Sequence, residues 1–252
     1  MTFRITELRW QVSPEFTLAV PSLTLPAERT TAILGRSASG KSTLLSLLGR
    51  VEGSYFERPE SLSGSIVFDE LELLALSERE LLQRKLRGQT IGFVFQREGL
   101  FPGRSARDNI TWPLTALGLS PSEAAARADQ ALADVGLPAD KNVATLSGGE
   151  RKRLAIARAI APSPRVLLLD EPLTGLDPEA LQGLRDLLQR LASGRTLVMV
   201  THQREDVEQL ADHLVFMDHG RVTRAGPRAE LGDTLTRFFA GQAITDSHPE
   251  VP

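Results

Sequence analysis

Cysteine is absent from this sequence of 252 residues, and lysine occurs at only four positions. The lack of cysteine excludes disulfide bonds and thiolate metal sites, and it fits a reducing compartment. The net charge of −3 gives no general attraction to nucleic acid. With 41% hydrophobic residues, the chain has enough apolar material to bury the core of one large domain.

Long apolar runs are absent as well. No stretch approaches the roughly 20 apolar residues that a membrane span requires, and the first residues lack the apolar centre of a signal peptide. We therefore expect that the chain does not cross a bilayer itself, and that another polypeptide would supply any transport pathway. No internal repeat is visible, which argues against two tandem copies of one domain.

A glycine-rich segment at residues 35–42 fits the phosphate-binding pattern G-x-x-x-x-G-K-[ST]. It follows an apolar stretch typical of a buried strand and precedes a helical pattern that begins at Ser42. Gly35 and Gly40 allow a tight turn that points successive N–H groups at phosphate oxygens. The start of the helix adds about half a positive charge. We expect Lys41 to reach the β- and γ-phosphates of a nucleotide and Ser42 to bind Mg²⁺.

A second apolar run follows Arg165 and ends in Asp170 and Glu171. Such a continuous run is typical of a buried parallel strand, and ligands of open α/β sheets collect at the carboxyl ends of the strands. Asp170 would hold Mg²⁺ directly or through water, while Glu171 would orient and deprotonate an attacking water molecule. Together with the glycine-rich segment, this run predicts a nucleoside triphosphatase.

The segment Leu146–Glu150 has the sequence Leu-Ser-Gly-Gly-Glu and precedes a helical pattern at 151–161. It predicts another helix start with N–H groups and a hydroxyl exposed, and therefore a second anion-binding site. Two such sites in one chain are explained if the second serves a nucleotide held by another subunit.

Together these segments resemble the ATP-binding cassette (ABC) ATPase family, over about residues 3–225. The resemblance implies binding and hydrolysis of ATP with Mg²⁺ by a dimer that encloses two nucleotides. Six motifs occur in the family's order: the Walker A loop at 35–42, a Q-loop at 93–96, the signature at 146–150, Walker B at 166–171, a D-loop at 173–177 and an H-loop at 200–202.

The resemblance also implies which residues form the site. The catalytic residues would be Glu171, His202 and Gln96, and the metal ligands would be Ser42, Gln96 and Asp170. Asp177, which precedes Pro178, would cap a helix and communicate between the two ATP sites. The residues in contact with nucleotide would be Gly35, Arg36, Ser37, Ala38, Ser39, Gly40, Lys41, Ser42, Thr43, Trp10 and Asp177, together with Ser147, Gly148 and Gly149, which would serve the nucleotide of the opposite subunit.

The chain departs from the family pattern at a few positions. Glu150 replaces the most frequent Gln, which leaves phosphate contact to Ser147 and the glycine amides. Ala38 replaces a frequent glycine of the phosphate-binding loop, although no catalytic group is lost. The sequence does not decide which residue stacks on adenine. Trp10 is the nearest aromatic candidate, and Val12 and Phe16 are alternatives for this position. A core role for Trp10 is equally compatible with the sequence.

The predicted fold class is α/β, with a P-loop NTPase (RecA-like) core, an N-terminal antiparallel β subdomain and an inserted α-helical subdomain. We expect one ABC ATPase domain at 1–240. Its core would comprise about 1–96 and 162–225, its helical subdomain about 97–161, and a polar tail would follow at 241–252. Clear local signals are the capping residue Ser77 and the Ser120–Glu123 capping box, with Pro in the first helical position.

The first functional hypothesis is a transport ATPase that works as a nucleotide-sandwiched dimer of two copies of this subunit, with no nucleic acid as partner. It would bind a transmembrane permease at the cytoplasmic face of the membrane. The alternative is the ATPase of a regulatory complex that activates an extracytoplasmic enzyme. A DNA-maintenance ATPase would need a coiled-coil arm or zinc modules, which this sequence lacks.

A narrower resemblance, carried by segments between Leu76 and Leu114, is to the lipoprotein-releasing and macrolide-export-like group. The segment from Gln96 to Trp112 would pass a nucleotide-driven shift to the permease. Leu100, Phe101 and Pro102 would form an apolar docking patch there. The alternative is that Phe101 packs into the helical subdomain as a core residue.

Overall fold

The computed structural model describes residues 2–51, 61–242 and 244, and it has the mixed α/β architecture predicted from the sequence. The predicted tail at 241–252 therefore lies outside the described residues except for 241, 242 and 244. Ten strands form one sheet. The strands are β1 Phe3–Ser13, β2 Phe16–Leu25, β3 Thr30–Gly35, β4 Leu62–Phe68, β5 Leu71–Glu72, β6 Ile91–Val94, β7 Val166–Asp170, β8 Thr196–Val200, β9 His213–Asp218 and β10 Arg221–Pro227.

Helices cover the sheet, and three of them follow one another between β6 and β7, where the sequence predicts an inserted helical segment. In the described part of the chain, no helix combines the length and the apolar character needed to span a bilayer. The helices are α1 Lys41–Gly49, α2 Glu78–Gln83, α3 Ala106–Ala116, α4 Pro121–Asp134, α5 Gly148–Ile160, α6 Pro178–Ala192, α7 Arg204–Leu210 and α8 Gly232–Phe239.

The strand order is β5-β4-β1-β2-β10-β9-β3-β8-β7-β6. Strands β9, β3, β8, β7 and β6 pair in parallel, whereas β1, β2, β4 and β5 pair antiparallel. The parallel strands β3, β7 and β8 are buried along their whole length. Because parallel strands end at the same edge of a sheet, the segments after β3, β6, β7 and β8 lie next to one another.

A bulge in β1 decides the position of Trp10. Phe3 and Ile5 point into the core, and a strict alternation would place Trp10 on the opposite face. Instead, Glu7 adopts a φ of 49°, and the pairing of β1 with β4 shifts between Thr6 and Arg9. Leu8 and Trp10 therefore turn inward, and Trp10 is only 6% exposed. The prediction that Trp10 stacks on adenine is wrong, and its alternative, a core role, is correct.

Candidate functional site

The glycine-rich loop joins β3, which ends at Gly35, to α1, which begins at Lys41. Gly40 caps α1 with a φ of 95°, a backbone conformation that favours glycine. Ala38 is also left-handed, with a φ of 59°, although a side chain disfavours it there. The first turn of α1 contains no acidic residue and receives no side-chain cap within the described residues, so its N–H groups face the loop's concave side unneutralised.

Lys41 lies inside this loop and is only 8% exposed. Its ammonium donates hydrogen bonds to the main-chain oxygens of Gly35, at 2.9 Å, and Arg36, at 2.8 Å. Burial lowers the pKa of Lys41, and the carboxylates of Glu171 and Asp170 oppose that shift. A dianionic phosphate group at this position would satisfy the cation more fully than the two carbonyl groups do.

Ser42 and Asp170 come from different elements and meet at the end of the sheet. The Ser42 hydroxyl donates a hydrogen bond of 3.0 Å to a carboxylate oxygen of Asp170, which is the last residue of β7. A hydroxyl and a carboxylate are hard oxygen donors, which is the ligand chemistry that Mg²⁺ prefers beside nucleotide phosphates. The residues present therefore fit the predicted metal site.

Glu171 lies at the centre of a group of polar side chains. One of its carboxylate oxygens accepts hydrogen bonds from the Gln96 amide, at 3.2 Å, and from the Thr174 hydroxyl, at 3.3 Å. The other lies 3.8 Å from Nδ1 of His202. The structure thus brings together the three predicted catalytic residues. Thr174 lies in the predicted D-loop, but its contact with Glu171 was not predicted, because it depends on a turn that folds Thr174 back onto Glu171.

A buried network fixes the segment that carries His202. The Thr201 hydroxyl donates to Asp206, at 2.9 Å, and the Arg185 guanidinium donates to the same carboxylate, at 2.8 Å. Both Arg185 and Asp206 are buried, so each satisfies the charge of the other. The network ties the start of α7 to α6 and leaves the His202 side chain half-exposed beside Glu171.

The glycine-rich loop, the start of α1, Gln96 and Glu171 surround a cleft with a volume of about 520 Å³. Its wall includes Phe16, an alternative considered for adenine stacking, whose ring lies against the Gly40 backbone. Gly35, Arg36 and Asp170 contribute through their contacts with Lys41 and Ser42. The lining residues are Phe16, Ser37, Ala38, Ser39, Gly40, Lys41, Ser42, Thr43, Gln96 and Glu171.

The signature segment forms a different surface. Ser147 caps α5: its hydroxyl accepts from the N–H of Glu150, at 3.2 Å, and the Glu150 carboxylate accepts from the N–H of Ser147, at 2.9 Å. Gly148 lines a second cavity of about 300 Å³, which Gln96 also borders. Gly149 is buried against α6, and Asp177 caps α6 as predicted, through a bond of 3.0 Å from Ala180.

Comparisons with known proteins agree with this geometry. A family model described as ABC transporter matches residues 18–174. A methionine import ATP-binding protein, MetN, of Bradyrhizobium diazoefficiens is 36% identical over 89% of this chain and 64% of its own length. The L-cystine transport system ATP-binding protein TcyN of Escherichia coli is 41% identical over 79% of this chain and 80% of its own. The chain thus spans 57–67% of the length of the methionine-import relatives.

Solved structures share the fold. The ATP-binding cassette MJ0796, in a dimeric post-hydrolysis state bound to ADP and Pi, superposes with a TM-score of 0.75 and 29% identity over 89% of this chain and 98% of its own. The cbiO1 protein of Clostridium perfringens, part of an ABC transporter complex, superposes with a TM-score of 0.77 and 29% identity over 95% of this chain and 94% of its own. These likenesses confirm the predicted P-loop NTPase fold.

Proposed function

This chain belongs to the ABC transporter family, and on that premise we propose that it is the ATP-binding and ATP-hydrolysing subunit of a membrane transporter. The observation that carries the proposal is the cleft in which an uncapped helix start, a buried lysine and a carboxylate converge. Lys41 and the N–H groups of the loop would bind the phosphates, and the ring of Phe16 offers an apolar surface for the adenine.

The residues around Glu171 have separable tasks in hydrolysis. Ser42 and Asp170 would hold Mg²⁺, which supplies charge neutralisation between the β- and γ-phosphates. Glu171 would orient the attacking water molecule and accept its proton. Gln96, Thr174 and His202 contact the carboxylate of Glu171 or lie close to it, and so restrict where that carboxylate points.

Replacement of the base tests this proposal. We expect Glu171→Gln to bind ATP and Mg²⁺ like the parent and to hydrolyse ATP about 10²–10⁴-fold more slowly, as is typical for the loss of a general base. Glu230→Gln, in an exposed turn before α8, is the matched control. Steady-state hydrolysis and nucleotide affinity, measured separately, check the prediction, and a parental rate in Glu171→Gln would exclude Glu171 as the base.

The second subunit is part of the proposal. Ser147, Gly148 and Gly149 would contact the nucleotide of the opposite subunit, and Asp177 would lie at the contact between the two sites. The dimeric state of MJ0796 with ADP and Pi supports this assembly. In this chain, Gln96 lines both the cavity at Gly148 and the nucleotide cleft. A partner subunit that fills the cavity at Gly148 would therefore contact a residue of the nucleotide cleft.

A groove of about 580 Å³ supports the predicted permease contact. Phe101 and Trp112 form its wall, with their ring centroids 4.7 Å apart, and Trp112 is 63% exposed. Leu100 instead packs against the core, and the main chain of Phe101 is fixed by the buried amide of Asn109. We propose that a cytoplasmic helix of the permease occupies this groove, which would place the chain at the cytoplasmic face of the membrane.

Trp112 offers a sharper test of that contact than Leu100, whose replacement would disturb the core. We expect Trp112→Ser to abolish binding and stimulation by the permease partner, with an unchanged basal ATPase rate. Leu82→Ser is the matched control, because Leu82 is 64% exposed and lies on α2. A stimulated rate that survives in Trp112→Ser would exclude this groove as the docking site.

The names of the relatives favour uptake over the lipoprotein-releasing and export-like group. They describe import or transport of methionine, L-cystine and glutamine. We therefore propose import of an amino acid as the transport activity. A gene for an extracytoplasmic binding protein beside this one would support import, whereas a permease with a large extracytoplasmic domain would support extrusion.

A further inference from the structure

Lys152 lies one turn after the start of α5 and points towards the segment that follows β7. It is half-buried, and its ammonium donates a hydrogen bond of 3.2 Å to the main-chain oxygen of Glu171. It also lines the cavity that contains Gln96, Glu98 and Thr174. A residue of the signature helix thus contacts the backbone of the catalytic base directly.

The backbone that Lys152 contacts is itself unusual. Glu171 has a φ of 47°, in the left-handed region that residues with a side chain disfavour. Such a conformation persists where the surroundings hold it in place, and it is enriched at functional sites. The N–H of Glu171 donates to Val200, at 3.1 Å, and its main-chain oxygen accepts from the N–H of Thr174, at 3.4 Å, as well as from Lys152.

We propose that Lys152 is a positioning residue that holds the Glu171 main chain in the conformation that aims its carboxylate into the cleft. The inference rests on the proposed function and extends it, because it makes the signature helix a direct determinant of the base's geometry. The Lys152 bond is the only one of the three main-chain bonds of Glu171 given above that comes from a side chain.

The electrostatic surroundings agree with this role. Burial lowers the pKa of Lys152, while the carboxylates of Glu98, Glu171 and Asp170 oppose that shift. On the same helix, Arg158 donates to the main-chain oxygens of Glu98 and Gly99, the latter at 2.7 Å. Helix α5 therefore forms hydrogen bonds both to the loop that follows Gln96 and to Glu171, the residue after β7. A movement of α5 would displace both segments.

The test compares variants of the full chain in ATP hydrolysis. Lys152→Met keeps the length of the side chain and removes the donor, so we expect kcat to fall about tenfold to a hundredfold, the range for a lost charge-assisted hydrogen bond. KM for ATP should stay near the parental value, because Lys152 does not contact the phosphate-binding loop. Lys152→Arg should restore most of the rate, and Lys85→Met controls for the loss of a lysine elsewhere.

A double-mutant cycle separates positioning from general destabilisation. If Lys152 acts through the carboxylate of Glu171, Lys152→Met should cause little further loss in the background of Glu171→Gln, measured as single-turnover hydrolysis. An equal loss in both backgrounds, or a parental kcat in Lys152→Met, would overturn the inference alone. A parent chain that hydrolyses no ATP would overturn the proposed function, and this inference with it.

Discussion

The starts of helices α1 and α5 are the two predicted anion sites, and they differ in capping and in charge. Of the eight α-helices in the described part of the chain, α1 alone has neither a side-chain cap nor an acidic residue in its first turn. Helix α5 has both, because Ser147 and Glu150 form a complete capping box. The N–H groups in the first turn of α1 are therefore available to bind an external anion. Those in the first turn of α5 already lie beside the carboxylate of Glu150.

Glu150 stays ionised at the start of α5. The hydrogen bond from Lys141, at 2.6 Å, and then that from the Ser147 N–H hold its pKa below the ordinary value. The hydroxyl oxygen of Ser147 accepts the capping bond from the Glu150 N–H, and a hydrogen bond from the Ser147 side chain is a further, smaller cause of the lowered pKa of Glu150. The comparison indicates a strong phosphate site at α1 and a weaker one at α5, as suits a site that closes only onto a nucleotide bound by a partner.

The largest effect is expected when α1 is made to resemble α5. Thr43 is the third residue of α1, as Glu150 is the third of α5, and it lines the cleft. Thr43→Glu should lower ATP affinity about a hundredfold or more, because a carboxylate close to a phosphate costs about 4 kcal/mol at an effective dielectric constant of 20. Thr43→Gln isolates the charge from the size. Equal ATP affinities of the two variants in equilibrium titrations would contradict the importance of the uncapped start.

The smallest effect is expected when α5 is made to resemble α1. Glu150→Gln removes the negative charge and should strengthen ATP-dependent dimerisation about two- to fivefold, the scale of a charge at a helix start. The lost pair with Lys141 should cost at most about 1 kcal/mol in the free energy of unfolding. The ATP concentration at half-maximal dimerisation, measured in the background of Glu171→Gln, checks this. Weaker dimerisation would mean that the carboxylate helps the site to close.

Local signals were readable from the sequence. The capping box at Ser120 and Glu123, the cap at Ser77 and the strand that ends at Asp170 all occur as predicted. Each depends on residues within one turn of helix or one strand, so neighbouring letters contain the necessary information. The glycine-rich segment adds a backbone geometry that few other sequences adopt, which is why the loop and its lysine were predictable.

The misassignment of Trp10 has a physical reason that the sequence does not display. The alternation of Phe3 and Ile5 breaks at Glu7, and Gly64 on β4 makes room for that bulge: a β-carbon at Gly64 would lie 2.3 Å from the Glu7 carbonyl oxygen. The bulge arises from a contact between strands more than fifty positions apart. A one-residue shift in register exchanges the core and solvent faces, so Trp10 turns inward.

Contacts between distant elements account for what the sequence did not show about the site. Lys152 belongs to helix α5 and Thr174 to the predicted D-loop, and the contact of Lys152 with Glu171 arises only because the segment after β7 folds against the first turns of α5. Phe16 follows the turn between β1 and β2, and its place in the cleft depends on how that turn lies over Gly40. No local pattern shows these contacts.

The most direct test of the two-site account is complementation between variants. Ser147→Arg should bind ATP as a monomer but fail to dimerise, because a bulky cation occupies the start of α5 where it must close on the partner's phosphate. Thr43→Glu should fail for lack of its own ATP. With both in the background of Glu171→Gln, an equal mixture should form an ATP-containing dimer that neither variant forms alone, because one intact α1 then faces one intact α5. A Ser147→Arg monomer that has lost ATP affinity would show that the α5 start serves its own chain's nucleotide, and a mixture that remains monomeric with ATP would show that an intact α1 facing an intact α5 does not hold the dimer; either result would contradict the account.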